Sequence, residues 1–283
     1  MIDTGLAGRH AVVTGANSPL GIGAATARAL AAQGATVTLV CAPGRPGRPD
    51  LTRSPGADLY ADVTGVDGTA VLDDLRATGA TVALVTADLA DPSAYRTVLD
   101  RAEAAAGPVQ ILVNNAAYAR PDTLLAGGAR ALDRAAPLLD AAGLDAHLAV
   151  NTRAPALLMA DFHRRYVDRG ATWGRVVNIS TDAAPEFPGE VSYGASKHAL
   201  ESLSRTAARE FGPAGVTVNV VAPGPVQTGW LDADAVGQVA ALSPLGRVGE
   251  PADIADVVVF LCSEQARWVS GQVVQVGGGK RTW

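Results

Sequence analysis

Lysine is almost absent from this chain: Lys and Arg together number 23, and only Lys197 and Lys280 are lysine. Arginine supplies nearly all the positive charge, so a position that keeps an ammonium calls for a reason beyond chance on a solvated helix face. Cysteine is as scarce, with Cys41 and Cys262 alone. Two cysteines so far apart build neither a disulfide framework nor a thiolate metal site, and they read as free, buried thiols in a reducing compartment. His10, His147, His163 and His198 share no spacing with carboxylates, which argues against zinc. No apolar run approaches the ~20 residues a membrane span requires. The stretch "HAVVTGA" begins at residue 10, leaving no room for a signal peptide, so a cytoplasmic location is expected. A net charge of −5 without a basic stripe argues against nucleic-acid binding.

What is present is a regular alternation. Hydrophobic residues make up 48% and charged residues 18%, the profile of a soluble globular chain long enough to bury a sizeable core. Short β-branched runs occur at 10–14, 35–40, 80–88, 109–115, 174–180, 216–222 and 271–276, with helical Ala/Leu stretches between them, the early ones near 22–33, 66–78 and 92–106. Strands that are apolar throughout need cover on both faces, which predicts an α/β fold with a doubly wound parallel seven-stranded sheet and helices on both faces. The Pro/Gly-rich segment 42–65 and the Gly/Ala segment 119–143 depart from the pattern. The first reads as a long irregular loop, because the alternation resumes after it, and one domain is expected over 1–283.

The segment "VVTGANSPLGIGAATARALAAQGA" sets Gly15, Gly21 and Gly23 between a strand and a helix. Glycines there allow a tight turn and let backbone N–H groups approach a pyrophosphate at the helix N-terminus. The context resembles the classical short-chain dehydrogenase/reductases, whose fingerprint is TGxxxGxG, although two extra residues separate Gly15 from Gly21. The resemblance implies a Rossmann fold with Gly15, Ser18, Gly21 and Ile22 at the cofactor. An acidic residue after the second strand would read a free ribose 2′-hydroxyl. Here that strand runs into "VCAPGRPGR", where Arg45 and Arg48 suit a 2′-phosphate, so NADP(H) is favoured over NAD(H). Two solvated arginines in a biased loop are the alternative.

Tyr193 and Lys197 stand four apart in the helical segment "EVSYGASKHALESLSRTAAREFG", which puts them on one face. A neighbouring ammonium favours phenolate and brings a phenol toward working range for acid–base chemistry. Ser180 closes the strand "GRVVNIS" thirteen residues before Tyr193, where its hydroxyl could donate to a carbonyl oxygen. The spacing selects Ser180, whereas counting from the strand selects Thr181. The resemblance adds Asn151 of "HLAVNTRAPALL" as the fourth catalytic residue, kinking its helix and holding a water. It also places Asp88 and Leu89 of "ADLAD" at adenine, Asn115 and Ala116 of "ILVNNAA" at the ribose, and Val226 and Thr228 of "NVVAPGPVQTGW" at the nicotinamide carboxamide. Trp230, Phe187 and Glu190 are expected to shape the substrate pocket.

The family reading is similar to 3-oxoacyl-acyl-carrier-protein reductases. It implies a small-molecule carbonyl or alcohol substrate and a homotetramer or homodimer. Two rivals are an enoyl-thioester reductase, which spaces tyrosine and lysine by seven, and a catalytically silent dinucleotide-binding regulator, which typically lacks one of the two.

Overall fold

In the computed structural model, which describes residues 3–131 and 134–281, the expected alternation builds a single seven-stranded sheet whose paired strands all run parallel. The first half contains β1 (His10–Thr14), α1 (Ile22–Ala32), β2 (Thr36–Cys41), α2 (Ala57–Thr64), α3 (Thr69–Ala77), β3 (Val82–Thr86), α4 (Ala94–Ala106) and β4 (Ile111–Asn114). A small antiparallel hairpin follows, β5 (Ala129–Ala131) and β6 (Arg134–Ala136). Then come α5 (Ala141–Leu148), α6 (Ala154–Asp168), β7 (Gly174–Ile179), α7 (Val191–Phe211), β8 (Val216–Pro223), α8 (Ala233–Ala241), α9 (Pro251–Cys262) and β9 (Val273–Val276).

The sheet order is β3-β2-β1-β4-β7-β8-β9. Successive side chains of a strand face opposite ways, and here both faces are apolar. Val13, Leu39, Val113 and Val221 pack with Leu30 of α1 and Ile254 and Val258 of α9. Val12, Val40, Leu112 and Val176 pack on the other face with Val98 and Leu99 of α4 and Phe162 of α6. Such double cover is what the unbroken apolar strands demanded. Cys41 and Cys262 are free and buried, and desolvation pushes both thiols up to about 12.

Both segments that depart from the alternation, the expected loop 42–65 and the stretch 119–143, carry structure. Within 42–65, α2 is anchored where the Gly56 N–H donates to Gly229 O at 2.9 Å. The helix expected from 66 begins at Thr69, because Gly68 precedes it with φ +90, a left-handed conformation that ends one chain direction before the next starts. The segment 119–143 is tied down by its hairpin and by backbone bonds from Asp122 N to Gly189 O and from Val191 N to Asp122 O.

Candidate active site

Strand order reverses between β1 and β4, and the crevice outside the carboxyl ends of such strands is where sheets of this kind meet ligands. Gly15 turns there with φ +68, and a Cβ on it would lie 2.6 Å from Ala116 Cα. A Cβ on Gly23 would lie 2.4 Å from Gly15 O, so only glycine lets α1 close on the turn. The Asn115 side chain donates to Thr14 O at 2.9 Å and Gly15 O at 3.0 Å, and the backbone N–H groups of Asn115 and Ala116 both donate to Thr14 Oγ1. Asn115 thus spends its amide on holding the turn. Gly21 precedes Ile22 at the start of α1 without a side-chain cap, leaving the first N–H groups of the helix for an anion. Ser18 adds a buried hydroxyl with no hydrogen-bond partner among the described residues. A cradle too tight for any Cβ, an uncapped helix start and an orphaned hydroxyl fit a dinucleotide pyrophosphate.

At the far end of this crevice, Asn17 Nδ2 donates to Thr64 O at 2.8 Å, and Gly68 lies against Cys41, so the stretch 64–68 lies over the end of β2. The two arginines expected to read a 2′-phosphate are engaged: Arg45 pairs with Asp62 at 2.5 Å and Arg48 with Asp74 at 2.6 Å. Both side chains are more than half exposed. Asp88 is exposed and accepts from Ala90 N–H at 2.9 Å, while Leu89 beside it is buried.

At the reacting end, α7 begins with Asp122, from the far segment, accepting the Ser192 N–H at 3.0 Å. Tyr193 and Lys197 follow one turn apart, the ammonium 5.8 Å from the tyrosine ring centroid. Lys197 is fully buried and donates to Ile179 O at 2.7 Å, at the very end of β7. Burial lowers its pKa to about 8. The Tyr193 phenol is pushed above its usual range, first by burial and then by Glu190, Tyr60 and Asp182. The protein alone therefore does not favour phenolate, contrary to the expected effect of the neighbouring ammonium.

Ser180 and Asn178 both face α7. The Asn178 amide donates to Ser204 Oγ at 2.7 Å, and the Ser180 hydroxyl donates to the buried Glu201 at 2.8 Å. That bond commits the Ser180 proton. Thr181 is half-buried, and its Oγ1 accepts from Ala183 N–H at 3.3 Å, a contact that leaves its own O–H to give. Asn151 lies in a one-turn π segment, Ala149–Arg153, between α5 and α6, which is the kink expected there. Its side chain clamps both the N–H and C=O of Tyr118 at 2.8 Å and donates to Ser196 Oγ at 2.9 Å. The Val226 carbonyl accepts the Trp230 indole N–H at 2.8 Å, and Thr228 is half-buried on the same loop.

The pocket wall gathers residues from distant parts of the chain. Phe187 meets the Tyr193 ring edge-on at 6.0 Å. Buried Glu190 pairs with Arg134 from the hairpin, whose guanidinium lies 5.7 Å from the Trp230 ring. His147 also meets Tyr193 edge-on, but both its nitrogens are used, with Gly143 O at 2.7 Å and the Arg120 N–H at 3.1 Å, so it acts as a wall. Reading the sequence missed Glu201, Asp182, Arg134 and Tyr60. Only Glu201 left a local signal, since it lies eight residues beyond Tyr193 on the same face of α7.

The fold and this crevice define a dinucleotide-binding α/β oxidoreductase. A family profile described as Enoyl-(Acyl carrier protein) reductase matches residues 51–281. NADPH-dependent aldehyde reductase-like protein, chloroplastic, of Arabidopsis thaliana is 32% identical over 280 residues, covering 97% of this chain and 94% of that protein. The 3-oxoacyl-acyl-carrier-protein reductase FabG of Escherichia coli (strain K12) is 30% identical over 275 residues, covering 96% and 97%. A solved structure of blue fluorescent protein from a metagenomic library, in complex with NADPH, superposes with a TM-score of 0.76 at 30% identity, covering 98% and 99%. The chain belongs to the short-chain dehydrogenase/reductases, and its cofactor is a nicotinamide dinucleotide.

Proposed function

We propose that this enzyme reduces a ketone, or oxidises the matching secondary alcohol, with NADP(H) as the favoured cofactor. The observation that carries the reading is the pair Tyr193 and Lys197, one turn apart on α7, with the ammonium bonded to the end of β7 beside the crevice. The bound nicotinamide supplies or takes the hydride at the carbonyl carbon. Tyr193 gives its phenolic proton to the carbonyl oxygen. Lys197, as a compact point donor, holds ribose hydroxyls and, together with the positive charge of the oxidised nicotinamide, favours the phenolate that remains, a role a forked guanidinium cannot copy. Asn151 keeps the π segment and Tyr118 in register behind them.

The second hydroxyl at the carbonyl is Thr181 in this reading, because the Ser180 proton is already given to Glu201. Gly15, Ser18, Gly21 and Ile22 receive the pyrophosphate, Asp88 and Leu89 border adenine, Asn115 and Ala116 border the ribose, and Val226 and Thr228 hold the carboxamide. NADP(H) is supported by the NADPH-dependent relative and the NADPH-bound neighbour. Arg45 and Arg48 must then exchange exposed ion pairs for the phosphate. Exposed pairs contribute little, and charge-assisted bonds to phosphate contribute more.

The family profile's description keeps enoyl reduction as a second reading. The four-residue spacing of tyrosine and lysine favours the carbonyl instead. Assembly as a homotetramer or homodimer and a cytoplasmic location belong to the same proposal; among the described residues no helix is long and apolar enough to cross a membrane. The test is a panel of ketones, 3-oxoacyl thioesters and enoyl thioesters, followed by loss of reduced-cofactor absorbance. Turnover of enoyl thioesters alone would overturn carbonyl reduction.

A further inference from the structure

We propose that the carbonyl substrate carries a second polar group that donates a hydrogen bond, a hydroxyl or an ammonium, and that Asp182 accepts it. This rests on the reading above and names the substrate class for the same site. Asp182 follows Thr181 beyond the end of β7, and its own N–H donates to Pro223 O at 2.8 Å, pinning it between the ends of β7 and β8. The residue is 4% exposed, yet its Oδ2 has no hydrogen-bond partner among the described residues. A buried carboxylate oxygen without a donor is costly to keep, and such atoms in a cleft await a ligand or serve the chemistry.

Three surroundings set the direction of this acceptor. Asp182 adds, after burial, Glu190 and Tyr60, to the effects that raise the Tyr193 phenol, so it lies within electrostatic reach of the reacting oxygen. Its Oδ2 would sit 3.4 Å from a Cβ on Gly277, which itself lines a cavity of about 220 Å³ with Pro225, Val239, Ser243, Leu245 and Lys280. Burial raises the Asp182 carboxyl above its usual range, and the charges of Lys280 and Arg281 only partly offset this. On another side of Tyr193 stands Glu190, already held by Arg134. Burial raises both carboxyls, and a hydrogen-bond donor on the substrate offsets that cost where a substrate carboxylate adds to it. Of the two, only Asp182 has a fully buried oxygen without a hydrogen-bond partner among the described residues.

The test compares matched ketones that differ in a single donor. 1-Hydroxy-2-butanone is set against 3-pentanone, 4-hydroxy-2-butanone against 2-pentanone, with aminoacetone as the ammonium probe and 2-oxobutanoate as the anionic one. The wild type should favour the better-placed donor probe over its hydrocarbon match by roughly 10-fold or more in kcat/KM. Asp182→Asn should shrink that ratio and Asp182→Leu should erase it, each with NADPH affinity near wild type by fluorescence. If Asp182→Leu does not fold, the Asn variant carries the test. Equal ratios in wild type and Asp182→Asn, a preference for 2-oxobutanoate, or no response to any donor probe, in turnover or in thermal shift with NADP⁺ bound, would overturn the inference. Tyr193→Phe separates the two levels. Turnover surviving in that variant defeats the parent reading, whereas a dead Tyr193→Phe with an unchanged Asp182 ratio defeats only this one.

Discussion

Replacing Lys197 with methionine tests the buried ammonium directly. Burial lowers this lysine from 10.5 to about 8. A depressed lysine releases its proton first in the folded chain, so between pH 8 and 10.5 the unfolded chain binds more protons and stability rises with pH. Below pH 8 both states are protonated and the folded state bears the full cost of the buried charge. The difference of about 2.5 pH units corresponds to about 3 kcal/mol at 1.36 kcal/mol per unit. Methionine removes that cost but leaves Ile179 O, now bonded to Nζ at 2.7 Å, without its donor, a loss of about 1–3 kcal/mol. At pH 7 the two effects oppose each other and the variant should be close to wild type in stability while losing activity. From pH 7 to 11 the wild type should gain on the variant by about 3 kcal/mol. Urea unfolding without cofactor, at one protein concentration, measures this. A stability difference that stays flat across that range would refute both the burial of the charge and its sign.

Tyr193→Phe should lower turnover by about 10²–10⁴ while cofactor binding stays near wild type, since only the proton donor is lost; a variant keeping more than about a tenth of the rate would end the assignment of this residue as acid. Thr181→Val should cost more turnover than Ser180→Ala, and the reverse order in steady-state assays would return the active hydroxyl to Ser180. The Arg45→Ala, Arg48→Ala double variant should weaken NADPH at least roughly tenfold and leave NADH little changed. Fluorescence titration giving equal loss for both cofactors would mean that these arginines serve only Asp62 and Asp74. Gly23→Ala puts a methyl 2.4 Å from Gly15 O, so it should cost about 1–3 kcal/mol in stability and weaken NADPH binding, and a wild-type melting curve would contradict the packing.

The sequence by itself determined the sheet and set Tyr193 and Lys197 on one helix face. Unbroken β-branched runs such as "HAVVT" and "RVVNI" cannot leave a face in water, so their number and spacing define a doubly covered parallel sheet. The turn at Gly15 and the pairing of Tyr193 with Lys197 were legible for the same reason, since both depend on neighbours within a few residues. Tertiary structure alone decided what surrounds them. Whether Ser180 or Thr181 faces a substrate turns on Glu201 from the next helix, and whether Arg45 and Arg48 are open to a phosphate turns on Asp62 and Asp74. The segments 42–65 and 119–143 carry no periodic pattern, yet they bring Tyr60 within electrostatic reach of Tyr193 and set Arg134 against Glu190. Burial, too, set the Tyr193 phenol higher than its lysine neighbour suggested. Local spacing fixes which groups share a helix face, while desolvation and ion-pair partners depend on how distant segments pack, which no short stretch of sequence encodes.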